Sequence, residues 1–190
     1  FNDGDDAYLN RTPGSAGNLR TWTWSGWVKR PEGFAILFAA GDTNDIWNSS
    51  VMTQIGFYAS DDTISFFHNG SYYKTTTQVF RDPSAWAHLV VSVDTTISSP
   101  ATDRVKMFWN GERITAWSTD VAITENTDTH VNNTYNHVIG GQQTTGGVSD
   151  YSFYDGYLAE VHFIDGQQLT PSSFGETDST TNQWKPIEYS

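Results

Sequence analysis

The chain has no cysteine and few cations: 10 Lys and Arg stand against 22 Asp and Glu in 190 residues, a formal net charge of −12. Without cysteine there is no disulfide scaffold, no thiol nucleophile and no zinc–thiolate centre. The excess of acids repels phosphate backbones, so nucleic acid is not an expected partner. It also disfavours anionic membrane surfaces. No apolar run approaches the length of a membrane span, so membrane insertion is not expected. No signal peptide is visible, and the chain opens on Phe1 rather than Met, which suggests a processed product or a piece of something longer. No long helical pattern is present.

What the chain has in quantity is aromatic surface and turn chemistry. Aromatic residues make up 15% of it, with 8 Trp, 9 Tyr and 11 Phe. Large rings suit a pleated, half-buried surface. Short strands separated by Gly, Asn, Asp and Ser recur from end to end, the pattern of an all-β sandwich or barrel. In Arg20–Arg30, residues Trp22, Trp24, Gly26 and Val28 share one face and Thr21, Thr23, Ser25 and Trp27 the other. Gly33–Ala40 is a continuous apolar run, expected to be covered on both faces. Ala85–Val93 reads as a strand. Asn110-Gly111 between two strand runs is a type I′ hairpin signal, because both residues tolerate positive φ. Thr170 and Pro171 read as the N-cap and first position of a short helical turn. Trp22, Trp24, Trp27, Trp86 and Trp109 are expected in the core. The polar loops Thr95–Thr102 and Thr124–Asn136 are the expected functional rims.

Several segments, in order, resemble a laminin-G-like domain of the concanavalin A superfamily. WTWSGWVKR resembles the family's early strand. AWAHLVVSVD resembles its Trp-x-His strand ending in Asp, and RVKMFWNGERI its strand with an Asn-Gly turn. HVIGG resembles the Ile-Gly-Gly strand, and YDGYLAEVHFIDGQQLTPSSF the closing strand and its Leu-Thr-Pro turn. The resemblance implies an antiparallel β-sandwich, a jelly roll of two sheets, over residues 1–174, with 175–190 as a surface-packed tail or linker. FGETDSTTNQWKP resembles a tail that follows this domain in bacteriophage virion proteins. That implies a virion, or otherwise an extracellular or cell-surface, setting.

The family binds glycans, proteins or calcium through loops at one rim and sometimes through the concave sheet. Glycoside hydrolysis needs two carboxylates across the scissile bond. The hydrolases of this fold set acids at alternate positions on one strand, and Ala159-Glu160-Val161-His162 lacks that motif, so no enzyme is expected. Sugar binding wants open rings flanked by amides and acids. Trp47, Tyr72, Tyr135, His137 and Asn132 are the candidates. Calcium wants several hard oxygens. Asp3 and Asp5, with Asp155 and Glu160 on what the family makes a neighbouring strand, are the candidate ligands. The expected function is a non-catalytic module for carbohydrate binding or adhesion, of phage fibre, spike or capsid-decoration type, with glycans or other copies of surface proteins as partners in a larger, homo-oligomeric assembly. A purely structural assembly protein and a secreted bacterial or algal adhesin are the alternatives. The glycan reading expects an open aromatic-and-acid patch at one rim; the structural alternative expects that surface, or the tail around Trp184, to be buried against a neighbouring copy.

Overall fold

The computed structural model describes residues 1–31, 33–41, 51–58, 61–144, 147–148 and 153–190, without the side chains of 3, 143, 144, 147 and 148. Its elements are almost all strands: β1 (Leu9–Arg11), β2 (Thr21–Val28), β3 (Ala35–Gly41), β4 (Met52–Tyr58), β5 (Thr63–His68), β6 (Ser71–Thr76), β7 (Ala87–Asp94), β8 (Val105–Trp109), β9 (Glu112–Arg113), β10 (Trp117–Asp120), β11 (Asn136–Ile139), β12 (Gln143–Thr144), β13 (Gly147–Val148), β14 (Leu158–Asp165), β15 (Gly175–Thr177) and β16 (Trp184–Pro186). Two sheets pack face to face. One has seven strands in the order β1-β11-β3-β4-β5-β6-β10, the other five in the order β14-β2-β7-β8-β9. All pairings in both are antiparallel.

The alternation in β2 has its expected consequence. Trp22, Trp24 and Val28 enter the inter-sheet core and meet Leu37, Ile55, Ile64 and Phe66 from the other sheet. Every residue of β3 is buried, and Ile36 and Ala39 form a separate small cluster with Met52. That is why its sequence is apolar without alternation. Asn110 (φ 49°) and Gly111 (φ 86°) turn the β8–β9 hairpin. Thr170 and Pro171 open a short 3-10 turn, but the Thr170 hydroxyl bonds Ser172 instead of capping it.

The outer face of the five-stranded sheet is covered by the end of the chain. Phe174, Leu169 and Tyr189 pack on Val90, Phe108 and Ile164, and β15 and β16 form a hairpin. Trp184 donates its indole N–H to Nδ1 of His88 at 3.0 Å. With that nitrogen accepting, Nε2 carries the proton and donates to Ser25 Oγ at 2.8 Å. Two expectations need correcting. Trp86 is 42% exposed rather than in the core, because it lies one residue before β7 on this outer face. The first and last sheet strands are not neighbours: β1 pairs β11, whereas β14 pairs β2 in the other sheet. The chain start does return to that region, where the Phe1 ammonium donates to the Gly156 carbonyl at 3.0 Å.

Candidate functional site

One long side of the sandwich stays open. There the β1–β11–β3 edge of one sheet faces β14 of the other across a cleft of about 560 Å³. The register builds its seven-stranded wall in two rows. Leu9, Ile139 and Phe38 lie opposite one another and form an apolar row; Arg11 and His137, two residues on, form a polar one. From the other sheet come Phe163, stacked on Phe38 at 5.8 Å, and Asp165. Residues 13–17 form the lip.

The back of the cleft is fixed by a hydrogen-bond hub at Asn132, which is buried with a φ of 64°, a left-handed conformation that Asn tolerates. Its amide donates to Asp165 Oδ1 at 2.7 Å and to the Asn18 carbonyl at 3.0 Å. Its carbonyl accepts the Gly17 N–H at 2.8 Å. Its backbone N–H donates to His137 Nε2 at 2.9 Å, while His137 Nδ1 donates to the Tyr135 carbonyl at 2.9 Å. His137 is thus held neutral, in its Nδ1–H form. Burial pushes its pKa down and the nearby Arg11 charge adds to this, against the opposing pull of the Tyr135 bond. Gly17 lets Asp165 come close to the lip: a Cβ there would lie 2.5 Å from Asp165 Oδ2, so the carboxylate would have to shift.

The charges separate this side from the rest of the molecule. Arg20, Arg30, Lys74, Arg81, Arg104, Lys106, Arg113 and Lys185 each pair with a carboxylate. Of the 10 Lys and Arg, that leaves Arg11 and Lys29 with no carboxylate partner among the described residues. In a chain where acids outnumber cations about two to one, such cations are uncommitted donors. Arg11 stands over the cleft.

The structure therefore brings His137, Asn132 and the Tyr135 carbonyl together, with Asn132 as a support rather than an open contact. The Tyr135 ring turns away to His130, at 5.7 Å. Tyr72 lies elsewhere, against Tyr58 and Phe67, and burial, helped by Tyr58, pushes its phenol up to about 12. Trp47, with Asp42 and Asp45, lies outside the described residues, as does the side chain of Asp3. Asp5 is exposed and accepts from Asn2 at 2.8 Å. Asp155 is exposed. Glu160 sits in a β-bulge with a φ of 48° and lies 3.6 Å from His162. Among the described residues, no group of three or more His, Asp or Glu is placed to hold a metal ion. Arg11, Phe163 and Asp165 were not legible as site residues; spacing cannot show which cations pair or where a sheet edge stays open.

No protein-family model and no curated protein sequence matches the chain. Solved structures do. The heptameric SAP-like pentraxin of Limulus polyphemus aligns with a TM-score of 0.58 at 18% identity, over 86% of this chain and 71% of that one. The CBM40 of the Ruminococcus gnavus IT-sialidase, bound to α2,3-sialyllactose, aligns at 0.53 and 14%, over 85% and 92%. Domains LG4-5 of the mouse laminin α1 chain align at 0.55 and 11%, over 97% of this chain and 42% of that one. With the sheet order above, these likenesses establish that the chain has the laminin-G/concanavalin A-like jelly-roll fold.

Proposed function

We propose that this domain is a non-catalytic carbohydrate-binding module acting in adhesion, and that the cleft beside β1 holds the saccharide. The observation that carries the reading is Arg11, a guanidinium with no carboxylate partner among the described residues, over a cleft with an apolar row on one side and fixed polar groups behind. Pyranose C–H faces pack on such rows while amides and carboxylates take the hydroxyls. The free guanidinium favours a sugar with a carboxylate or sulfate. The R. gnavus CBM40, solved with sialyllactose, is a precedent for this fold holding a sialylated ligand. Asp165 is the one acid lining the cleft, and it is engaged by Asn132 and by the Asn18 N–H at 2.9 Å. Among the described residues lining the cleft no second carboxylate stands beside it, and glycoside hydrolysis calls for two.

A virion or cell-surface setting, in a phage fibre, spike or decoration protein or a secreted adhesin, goes with this reading; it rests on the resemblance of residues 174–186. Trp184 is seated on His88 of its own chain, which leaves the open rim surface as the one that the purely structural alternative would bury against another copy. A glycan array probed with the wild type and with Arg11→Ala, in calcium and in chelator, is the test. Binding to acidic glycans that Arg11→Ala abolishes is expected. Binding unchanged in Arg11→Ala, or no binding at all, overturns the cleft. Loss on chelation would show that binding depends on calcium, for which Asp3, Asp5, Asp155 and Glu160 are the residues to vary next.

A further inference from the structure

Lys29, the second cation without a carboxylate partner among the described residues, stands at a different place and does not line the cleft. Leu158, Val28 and Ala87 are register partners across β14, β2 and β7. One residue beyond, on the outer face, the same row continues as Tyr157, Lys29 and Trp86. The Lys29 N–H donates to the Tyr157 carbonyl at 2.9 Å, and the Tyr154 hydroxyl donates to the Lys29 carbonyl. The row's backbone is therefore pinned from two directions. The Lys29 ammonium lies 5.6 Å from the Trp86 ring centroid and 5.7 Å from that of Tyr157, within cation–π range of both. The two rings are 6.4 Å apart at 67°.

Both rings are open, Trp86 at 42% and Tyr157 at 65% exposure, with Val79 close behind at 40%. The rest of this outer face is covered by the chain end. A hollow of about 230 Å³ adjoins Trp86, lined by Arg30, Gln78, Arg81, Asp82 and Asn110 among others. An open aromatic pair rimmed by polar groups marks an interaction site.

We propose that Trp86, Lys29 and Tyr157 form a second saccharide-binding platform, for an acidic pyranose such as a uronate or a sulfated sugar. The apolar sugar face stacks on Trp86, Tyr157 stands as the side wall, and Lys29 pairs with the carboxylate or sulfate. The polar hollow receives the hydroxyls of the next residue. Charge complementarity selects this occupant: among the described residues Lys29 forms no ion pair, its charge is felt by Asp82 at the rim of the hollow, and both rings hold it in place. The platform does not depend on the cleft.

The test is calorimetric titration of the full chain with uronate oligosaccharides, sulfated oligosaccharides and a neutral oligosaccharide of equal length, using wild type, Trp86→Ala, Lys29→Gln and Arg11→Ala. Trp86→Ala is expected to weaken binding at the platform by about tenfold or more. At the platform, Lys29→Gln should bring the acidic oligosaccharides down to the level of the neutral one. Both variants should keep the wild-type melting temperature. If the cleft also binds, the wild type shows two sites, Trp86→Ala keeps one and Arg11→Ala keeps the other. If the cleft reading is wrong, Arg11→Ala is without effect and Trp86→Ala removes all binding. Titrations unaltered in Trp86→Ala overturn the platform. So does self-association of the wild type, seen by sedimentation, that Trp86→Ala abolishes while no oligosaccharide binds.

Discussion

The sandwich has two long sides, and they are finished differently. Opposite the open cleft, where β6 and β10 face β8 and β9, there is a hollow of about 210 Å³. Its charges are matched. Lys74, only 3% exposed, pairs with Asp120 and lies 5.0 Å from the Trp117 ring. Arg113 and Lys106 both pair with Asp103. Behind them Arg104 is buried and donates to the carbonyls of Ile97 (2.7 Å), Ile123 (2.8 Å) and Ser98 (3.2 Å), and to Glu125 at 3.2 Å. It ties together the two polar loops that the sequence suggests as functional rims. A side whose donors are all committed holds structure; a side with a spare guanidinium and an apolar row is free to bind. The comparison predicts that substitutions on one side change stability and on the other side affinity.

Acid should give the largest effect, and give it unevenly. Burial pushes His68 and His88 down to about 4, with His130 and His162 as further causes, and burial lowers His130 and His137 as well. The folded state therefore resists protons that the unfolded chain takes up below its ordinary value of 6.5. The stability these groups contribute is whole above pH 6.5 and is lost as pH falls toward about 4. A melting series from pH 7 to 4 should fall steadily. No histidine lines the hollow on the matched side, whereas a protonated His137 can no longer accept from Asn132. Hydrogen exchange should therefore show residues 130–139 losing protection before 105–117. Simultaneous loss would erase the distinction between the sides.

Arg104→Ala comes next. It leaves buried carbonyls without their donor and frees Glu125. Urea unfolding should show a loss of about 1–3 kcal/mol, the usual cost of leaving buried acceptors without a donor; Glu125 is 44% exposed and water takes it up. Saccharide affinity in the cleft should be unaltered in the fraction that stays folded. A loss below about 1 kcal/mol would mean that water replaces the guanidinium and that the matched side is not the structural one.

Much of this architecture is legible in the sequence because it is local. The period-two pattern of Trp22, Trp24 and Val28 names the core face, the all-apolar run of β3 names a doubly covered strand, and Asn110-Gly111 names its hairpin. The site is not local. Trp86 is in phase with His88 and Val90, which are buried, so the pattern of β7 alone assigns it the same fate. What separates them is where the chain end lands: Trp184 and Phe174 cover His88 and Val90 and do not reach Trp86. The uncommitted state of Arg11 likewise depends on where the carboxylates end up. Composition announces that cations are scarce but not which of them is left over. His137 and Asn132 were accessible as candidates because the loop before β11 is long and polar, though the hub role of Asn132 depends on Asn18 and Asp165, both distant in sequence.

The smallest effect on stability should come from Arg11→Ala, and it is the sharpest test of the comparison. Arg11 is exposed on a three-residue strand whose residues are all exposed. Its removal breaks no ion pair among the described residues and relieves the charge that helps hold His137 down. Stability at neutral pH should change by no more than about 0.5 kcal/mol, as for an exposed site without a partner. The His137 pKa should rise, since one lowering influence is gone, and NMR titration of its ring protons reads this directly. Affinity for an acidic saccharide should fall by about tenfold or more, because a charge-assisted bond at a half-enclosed site is lost. A rise in the His137 pKa with unaltered affinity would place Arg11 beside the cleft but outside its work. A stability loss as large as that of Arg104→Ala would show that the open side, too, is built to hold the fold.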